Sequence, residues 1–242
     1  MNIHIAKTAE DLGIAAADKA VEVINSCIEK QGYARIILST GASQFTFLEA
    51  LSSRDIDWGK VEMFHLDEYV GLPESHPASF RKYLRERFLS YAPVAKAHLV
   101  NGEGDVTGHI AKLSLEIGKA PIDLAVIGIG ENAHIAFNDP PADFLTIMTY
   151  KVVDLDDDCK AQQVREGWFD SIASVPKQAI TMTVQQILSS KTIISCVPYQ
   201  QKANAIQNTL QEGISEMVPA TILKTHKAWS LYLDEASASG IN

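Results

Sequence analysis

Side chains that could transfer protons follow a strongly apolar stretch near the middle of the chain. Residues 124–127 (LAVI) form a continuous apolar run, which is typical of a strand buried on both faces of a parallel sheet. Gly128 and Gly130 allow a ligand to approach the backbone closely, and His134 and Asp139 come shortly after them. Ligands of open α/β sheets bind beyond the carboxyl ends of the strands, so this histidine and carboxylate are predicted to be placed for proton transfer.

Two adjacent carboxylates, Asp67 and Glu68, lie at the end of a second predicted strand, residues 61–67. Neighbouring side chains on a strand point to opposite faces, so only one of the two can face a shared cleft. A carboxylate buried there has a raised pKa, which suits a general base. Taken alone, the segment also fits a plainer interpretation, in which Asp67 caps the following turn and Glu68 is solvated.

A third polar segment joins a predicted strand, residues 35–38, to a helical pattern that runs from Phe45 to Leu51. A short hydroxyl- and glycine-containing loop before a helix N-terminus favours an anion, because backbone N–H groups and the helix dipole both attract negative charge. The segment lacks the Gly-Lys-Ser/Thr ending of a Walker loop and is not a GxGxxG fingerprint. The loop residues are Ser39, Thr40, Gly41, Ala42 and Ser43.

Three longer strings carry a specific resemblance. They read LSTGASQFTFLEAL (38–51), FHLDEYVGLPESHPASFRKYL (64–84) and GIGENAHIAFNDP (128–140). In composition and order they resemble the glucosamine-6-phosphate deaminase/isomerase family, which also contains the 6-phosphogluconolactonases. The HIAFN-(D/E)-P pattern is similar to the amino-sugar-phosphate branch, whereas the lactonase branch resembles GHTASLFP. The similarity runs from about the first strand to Lys202 and is weak beyond it.

The resemblance implies catalytic roles for four residues. Asp67 corresponds to the base that takes the C2 proton, and His134 corresponds to the histidine that opens the sugar ring. Asp139 occupies a position where many members have glutamate, and it is expected to hold and polarise His134. Asn132 stands where relatives have an aspartate that takes part in ring opening.

The resemblance also implies a phosphate site. Lys202 corresponds to a phosphate-binding lysine. Arg165 is the candidate for a second phosphate ligand, although its spacing to Trp168 differs by two residues, and Lys160 is the alternative. The further substrate- or phosphate-binding candidates are Ser39, Thr40, Gly41, Ala42, Ser43 and Glu68.

Two departures from the family pattern bear on the substrate. The usual Asn-Asp-Gly-His is here residues 131–134, ENAH, and the usual Gly-Gly-Thr-Pro is residues 41–44, GASQ. The amide of Asn132 can orient His134 but cannot carry a charge, and Ala133 is strained if its φ is positive. The choice between a gluco- and a galacto-configured substrate therefore stays open.

Bulk properties favour a metabolic enzyme of the cytoplasm. The 242 residues suffice for one α/β domain, and a net charge of −9 argues against nucleic acid as a partner. The N-terminus has no signal-peptide pattern, and no apolar run is long enough to span a membrane. Cys27, Cys159 and Cys196 are far apart, which fits free thiols rather than a disulfide or zinc set. We expect a small-molecule sugar phosphate as the ligand, no cofactor, no metal, and a monomer or small homo-oligomer.

Alternating strand and helix patterns predict one α/β domain over residues 1–242: a doubly wound, mostly parallel, Rossmann-like sheet with helices on both faces. Residues 141–175 are expected to be irregular and to form a lid. The predicted helices cover 8–30, 45–51, 77–90, 106–119, 181–189 and 199–212. The predicted strands cover 35–39, 61–67, 97–100, 123–128, 191–197 and 228–233.

The resulting hypothesis is an isomerase-deaminase that acts on a hexosamine 6-phosphate. It would convert glucosamine 6-phosphate, or the galactosamine equivalent, into a ketose phosphate and ammonia. The alternatives are a 6-phosphogluconolactonase-type hydrolase, which needs no C2 base, and a sugar-phosphate-sensing protein without turnover, which the replacement at Asn132 would allow.

Overall fold

The computed structural model describes residues 1–241, apart from the side chain of residue 158. The strands are β1 (Asn2–Ala6), β2 (Ala34–Leu38), β3 (Val61–His65), β4 (Asp67–Tyr69), β5 (Lys96–His98), β6 (Leu124–Ile127), β7 (Tyr150–Asp154), β8 (Gln178–Met182), β9 (Thr192–Val197) and β10 (Trp229–Asp234). The α-helices are α1 (Ala9–Gln31), α2 (Phe45–Ser52), α3 (Phe80–Leu84), α4 (Val106–Ile117), α5 (Asp157–Arg165), α6 (Val184–Leu188) and α7 (Ala203–Gln211). A π-helical turn, Arg85–Leu89, continues α3.

Seven strands form a parallel sheet in the order β1-β10-β9-β6-β2-β3-β5. From β2 the chain proceeds outward through β3 to β5, and from β6 it proceeds in the other direction through β9 to β10. The order therefore reverses between β2 and β6, and a crevice opens at the carboxyl ends of these two strands. The expected doubly wound parallel sheet in a single domain is confirmed.

Alternate residues of the central strands enter two separate apolar cores. In β2, Ile36 and Leu38 pack with the α1 residues Leu12 and Ile24, whereas Ile37 packs on the opposite face of the sheet with residues of α4 and α6. Strands buried on both faces explain the near-continuous apolar runs in the sequence. Helices cover both faces of the sheet, as predicted.

The first helix begins and ends where the sequence indicates. The side chain of Thr8 accepts a hydrogen bond from the backbone N–H of Asp11, and Glu10 adds a second carboxylate to the first turn. Gly32 ends the helix in the left-handed conformation, with φ of 86°. The helix predicted for residues 8–30 is confirmed as α1.

A second, antiparallel sheet of order β4-β8-β7 was not predicted. The expectation that residues 141–175 are irregular is wrong, because they contain β7 and α5. The helix predicted to begin at residue 181 begins at Val184 instead, since residues 178–182 pair with both β4 and β7. These pairings join segments distant in the chain, so local patterns do not indicate them. The edge strand β1 was also missed, and its side chains are mostly exposed.

Within residues 1–241, no helix is both long and apolar enough to cross a membrane.

Candidate active site

A cavity lies at the crevice where the strand order reverses. The loop after β2 and the loop after β6 form two of its walls, β4 contributes Asp67, and the turn before α7 contributes Lys202. Helix α5 and the residues after it complete the enclosure. Of the predicted site residues, those that line the cavity are Ser39, Thr40, Gly41, Ala42, Ser43, Asp67, His134 and Lys202.

The carboxyl group of Asp67 is buried in the wall of the cavity. Burial, together with the negative charge of Glu68, raises the pKa of Asp67 to about 8. His65 gives no compensating positive charge, because burial and the charge of Arg81 lower the pKa of His65 to about 3. Asp67 is therefore a carboxyl group that exchanges a proton near neutral pH, as a general base must.

Glu68 points away from the cavity, as the strand geometry requires, and does not line it. Its buried carboxylate accepts hydrogen bonds from the hydroxyl of Ser79 at 2.9 Å and from the backbone N–H of Arg81 at 2.9 Å. The guanidinium of Arg81 pairs with the same carboxylate at 3.2 Å. The prediction of Glu68 as a substrate ligand therefore has no support in its placement, and its contacts are those of a structural anchor for β4.

His134 is held by two side chains from its own loop. Its Nδ1 lies 2.6 Å from Oδ1 of Asn132 and 3.0 Å from Oδ1 of Asp139. The amide nitrogen of Asn132 donates to the same carboxylate oxygen of Asp139 at 3.0 Å. Because Nδ1 is occupied, Nε2 is the ring nitrogen left for a ligand, and His134 lines the cavity while its two partners stand behind it.

The loop geometry explains why particular small residues occur beside His134. A Cβ atom on Gly130 would lie 2.2 Å from the imidazole ring, so only glycine leaves room for the histidine. Ala133 adopts φ of 65°, a positive value that is strained for alanine. The buried amide of Asn138 donates to the backbone oxygens of Ile135 and Met182 and so ties this loop to β8.

The negative charge next to His134 belongs to Asp139. Burial opposes ionisation of this carboxyl group, but hydrogen bonds from His134, Asn132 and Cys159 and the charge of His134 hold its pKa below the ordinary value. Asp139 is therefore ionised at neutral pH. Its contact with Nδ1 orients the imidazole of His134.

The same cavity also contains groups that are suited to an anion. Lys202 is buried, its ammonium has no ion-pair partner among the described residues, and burial lowers its pKa despite the charges of Glu166 and Glu131. The buried hydroxyl of Ser39 likewise has no hydrogen-bond partner in the part of the chain that the structure describes. A phosphate here would satisfy both groups, together with the N-terminal amides of α2 and α7.

The second predicted phosphate ligand is not placed in the cavity wall. The side chain of Arg165 is exposed, and its Nη2 pairs with Glu131 at 3.0 Å. The alternative, Lys160, pairs with Asp157 at 3.3 Å. Among the described residues that line the cavity, Lys202 is the one lysine or arginine.

Several residues that line the cavity were not among the predicted ligands. Gln162, Gln163, Glu166 and Trp168 come from α5 and the turn after it, in the segment expected to form a lid. No motif marks the glutamines, since isolated glutamine residues are ordinary on a helix surface. The indole N–H of Trp168 donates to the carboxylate of Glu166 at 3.2 Å.

One group of potential metal ligands, Glu62, His98 and Glu116, lies outside the cavity wall. Their ligand atoms are within 4.8 Å of one another. Arg35 already pairs with Glu62 at 2.6 Å, and Lys96 pairs with Glu116 at 2.8 Å. The carboxylates are thus neutralised by protein cations, and we assign no ion to the group.

Comparison with known proteins shows the family of the chain. The model of the family described as "Glucosamine-6-phosphate isomerases/6-phosphogluconolactonase" matches residues 7–231 of the chain. The chain belongs to this family. A glucosamine-6-phosphate deaminase of Oenococcus oeni is 34% identical over 230 residues, which cover 93% of this chain and 94% of that protein. One from Streptococcus suis is 33% identical over 240 residues and covers 99% of both chains.

Solved structures of the family confirm the fold. A monomeric glucosamine-6-phosphate deaminase superposes with a TM-score of 0.90 at 29% identity and covers 99% of this chain and 100% of that one. A 6-phosphogluconolactonase from Shewanella baltica has a TM-score of 0.80 at 19% identity and covers 97% of both chains. The second likeness concerns the fold alone.

The environment of Asp67 predicts an unusual titration. In 13C NMR of the carboxyl groups, Asp67 should lose its proton at about pH 8. Glu68→Gln removes the neighbouring negative charge, so the titration should move to lower pH, yet remain above that of an ordinary aspartate because burial persists. The matched control is Glu103→Gln, which removes another carboxylate that pairs with Arg81. It should leave the titration of Asp67 unchanged. A wild-type Asp67 titration near pH 4 would contradict this assignment.

Proposed function

We propose that this protein is an isomerase-deaminase that converts a hexosamine 6-phosphate into a ketose 6-phosphate and ammonia. The observation that carries the proposal is the content of one cavity: a carboxyl group whose pKa is raised to about 8, an oriented histidine, and a buried ammonium without an ion-pair partner among the described residues. The first two groups suit proton transfer at C1, C2 and the ring oxygen. The ammonium suits the 6-phosphate.

The proposed reaction begins with ring opening. Nε2 of His134 transfers a proton between the anomeric hydroxyl and the ring oxygen, while Asp139 stabilises the imidazolium that forms. The product is an open-chain aldehyde with the amine on C2. Asn132 keeps the ring of His134 in place without adding charge.

Isomerisation follows in the same cavity. The ionised carboxylate of Asp67 takes the C2 proton, and the electron pair moves into an enolamine spanning C1 and C2. Protonation at C1 gives an imine at C2, and addition of water followed by loss of ammonia gives the ketose. The nitrogen of the substrate delocalises the charge in this sequence.

The two alternative functions make different demands on the cavity. Opening a lactone requires no base at C2, and a sensing protein requires no proton-transfer groups. The buried, titratable Asp67 and the preserved support of His134 by Asn132 both favour turnover of an amino sugar. We also propose that the enzyme acts as a monomer without a cofactor, as the similar deaminase with a TM-score of 0.90 is described as monomeric.

Asp67→Asn should abolish ammonia release and solvent deuterium exchange at C2, because the isosteric amide cannot accept the proton. Loss of a general base costs about 10²–10⁴-fold in rate. Inorganic phosphate should still bind with nearly wild-type affinity, since Lys202 is untouched. The exposed Asp57→Asn is the matched control. Wild-type exchange in Asp67→Asn would exclude Asp67 as the base.

His134→Gln should slow turnover of the cyclic substrate far more than turnover of an open-chain analogue. Ring opening requires a proton shuttle, whereas removal of the C2 proton is assigned to Asp67. The measurement is the ratio of kcat/KM for the two substrates in wild type and variant. Equal losses on both substrates would place His134 at another step.

Lys202→Ala should raise KM for the sugar phosphate by about tenfold or more, because a hydrogen bond to a charged group contributes roughly 1.5–3 kcal/mol. The value of kcat should fall less if the contact is similar in the ground and transition states. Parallel variants Arg165→Ala and Lys160→Ala should change KM little. A large rise in KM for either would identify it as a second phosphate ligand, and an unchanged KM for Lys202→Ala would refute the phosphate role.

A further inference from the structure

Gln163, on the side of α5 that faces the cavity, has an unused hydrogen-bonding group. Its side chain is more than nine-tenths buried, with 8% exposed, and it lines the cavity. The Oε1 atom accepts a hydrogen bond of 2.8 Å from the hydroxyl of Tyr69. The amide nitrogen Nε2 has no partner among the described residues, and it is not one of the fully enclosed polar atoms.

The hydroxyl of Tyr69 fixes which end of the amide faces the cavity. Burial and nearby negative charges raise the pKa of Tyr69, so the phenol keeps its proton and must donate it. Gln163 is its partner among the described residues, and only the amide oxygen can accept that proton. The reverse orientation would leave a buried hydroxyl without an acceptor, at a cost to stability. Nε2 is therefore directed to the accessible side.

Gln163 is related to both of the groups assigned to the substrate, through Tyr69 on one side and Glu166 on the other. Through Tyr69 it is joined to β4, which carries Asp67, the group assigned to C2. Three residues after Gln163, directly after the end of α5, Glu166 also lines the cavity. Its negative charge acts to raise the pKa of Lys202, the group assigned to the 6-phosphate. A sugar that spans the cavity from C2 to C6 has its C3 and C4 hydroxyls between these groups.

We infer that Gln163 donates a hydrogen bond from Nε2 to the C3 or C4 hydroxyl of the substrate and is a specificity-determining residue for the reaction. The inference rests on the proposed function. Tyr69 is a positioning residue, because it acts on the substrate only through the amide of Gln163. A buried donor that is left unpaired penalises a sugar that lacks the matching hydroxyl.

The test measures kcat/KM for wild type and Gln163→Leu on glucosamine 6-phosphate and on its 3-deoxy and 4-deoxy analogues. On the parent sugar, Gln163→Leu should lose a factor of about 10–100. On the analogue that lacks the contacted hydroxyl, the loss should disappear. Equal losses on all three sugars would overturn the inference, because a merely structural defect does not depend on one hydroxyl.

Two further variants separate hydrogen bonding from packing. Gln163→Glu keeps the size of the side chain and the acceptor for Tyr69 but replaces the N–H donor with oxygen, so it should lose the same discrimination as Gln163→Leu. Tyr69→Phe should reduce the preference for the parent sugar over the deoxy analogue, and should add little when combined with Gln163→Leu. Retained discrimination in Gln163→Glu would overturn the donor role.

Failure of this inference can be told apart from failure of the proposed function. If wild type releases no ammonia from either glucosamine 6-phosphate or galactosamine 6-phosphate, the proposed function fails, and titration calorimetry with the same three sugars still tests Gln163. Inhibition or binding by inorganic phosphate should be unchanged in the two uncharged variants, Gln163→Leu and Tyr69→Phe, because phosphate is assigned to Lys202. A change in phosphate affinity equal to the change in sugar affinity would overturn the role of Gln163 at a hydroxyl.

Discussion

The buried ion pair between Glu68 and Arg81 is the interaction on which the reactive part of the cavity depends. Glu68 is fully enclosed, and Arg81 also donates to the backbone oxygen of Leu72 at 2.8 Å. Removing one partner of such a pair leaves an uncompensated buried charge, which costs about 3–5 kcal/mol. The pair fixes β4 so that Asp67 faces the cavity, and the charge of Glu68 helps to raise the pKa of Asp67. Glu68 thus both anchors β4 and helps to raise the pKa of Asp67.

His134 is supported by two side chains of its own loop. Asn132 and Asp139 share Nδ1 of His134, so an amide supplies part of the geometry and the single carboxylate supplies the charge. Asn132 therefore contributes to the orientation of the imidazole without adding negative charge beside it. Gly130 provides the space, and Ala133 accepts a positive φ within the same turn.

Helix α5 packs against both β4, which carries Asp67, and the loop that carries His134. A small apolar cluster beneath it contains Tyr69 from β4, Phe137 from the histidine loop, and Cys159 and Phe169 from α5 and the turn after it. Tyr69 meets Phe169 edge to face, with ring centroids 5.5 Å apart. The helix that contributes Gln163 to the cavity is therefore packed against the segments that carry Asp67 and His134.

The sequence alone determined the parallel sheet and much of the site. Apolar runs such as residues 124–127 indicate strands buried on both faces, and the polar residues after them, Asp67 and His134, must lie at one edge because parallel strands end there. Resemblance added Lys202, which does line the cavity. The alternation of a strand likewise indicated that only one of Asp67 and Glu68 could face it.

The second sheet and the placement of the α5 side chains depend on contacts between segments that are distant in the chain. The sheet formed by β4, β8 and β7 depends on pairing between distant segments, so residues 178–182 adopt a strand that their local pattern does not indicate. The placement of Gln163 in the cavity and of Arg165 outside it follows from how α5 packs, which a polar helix sequence does not specify. A buried polar group is paired or left for a ligand according to its neighbours in the folded structure. The spacing of residues along the chain does not indicate those neighbours.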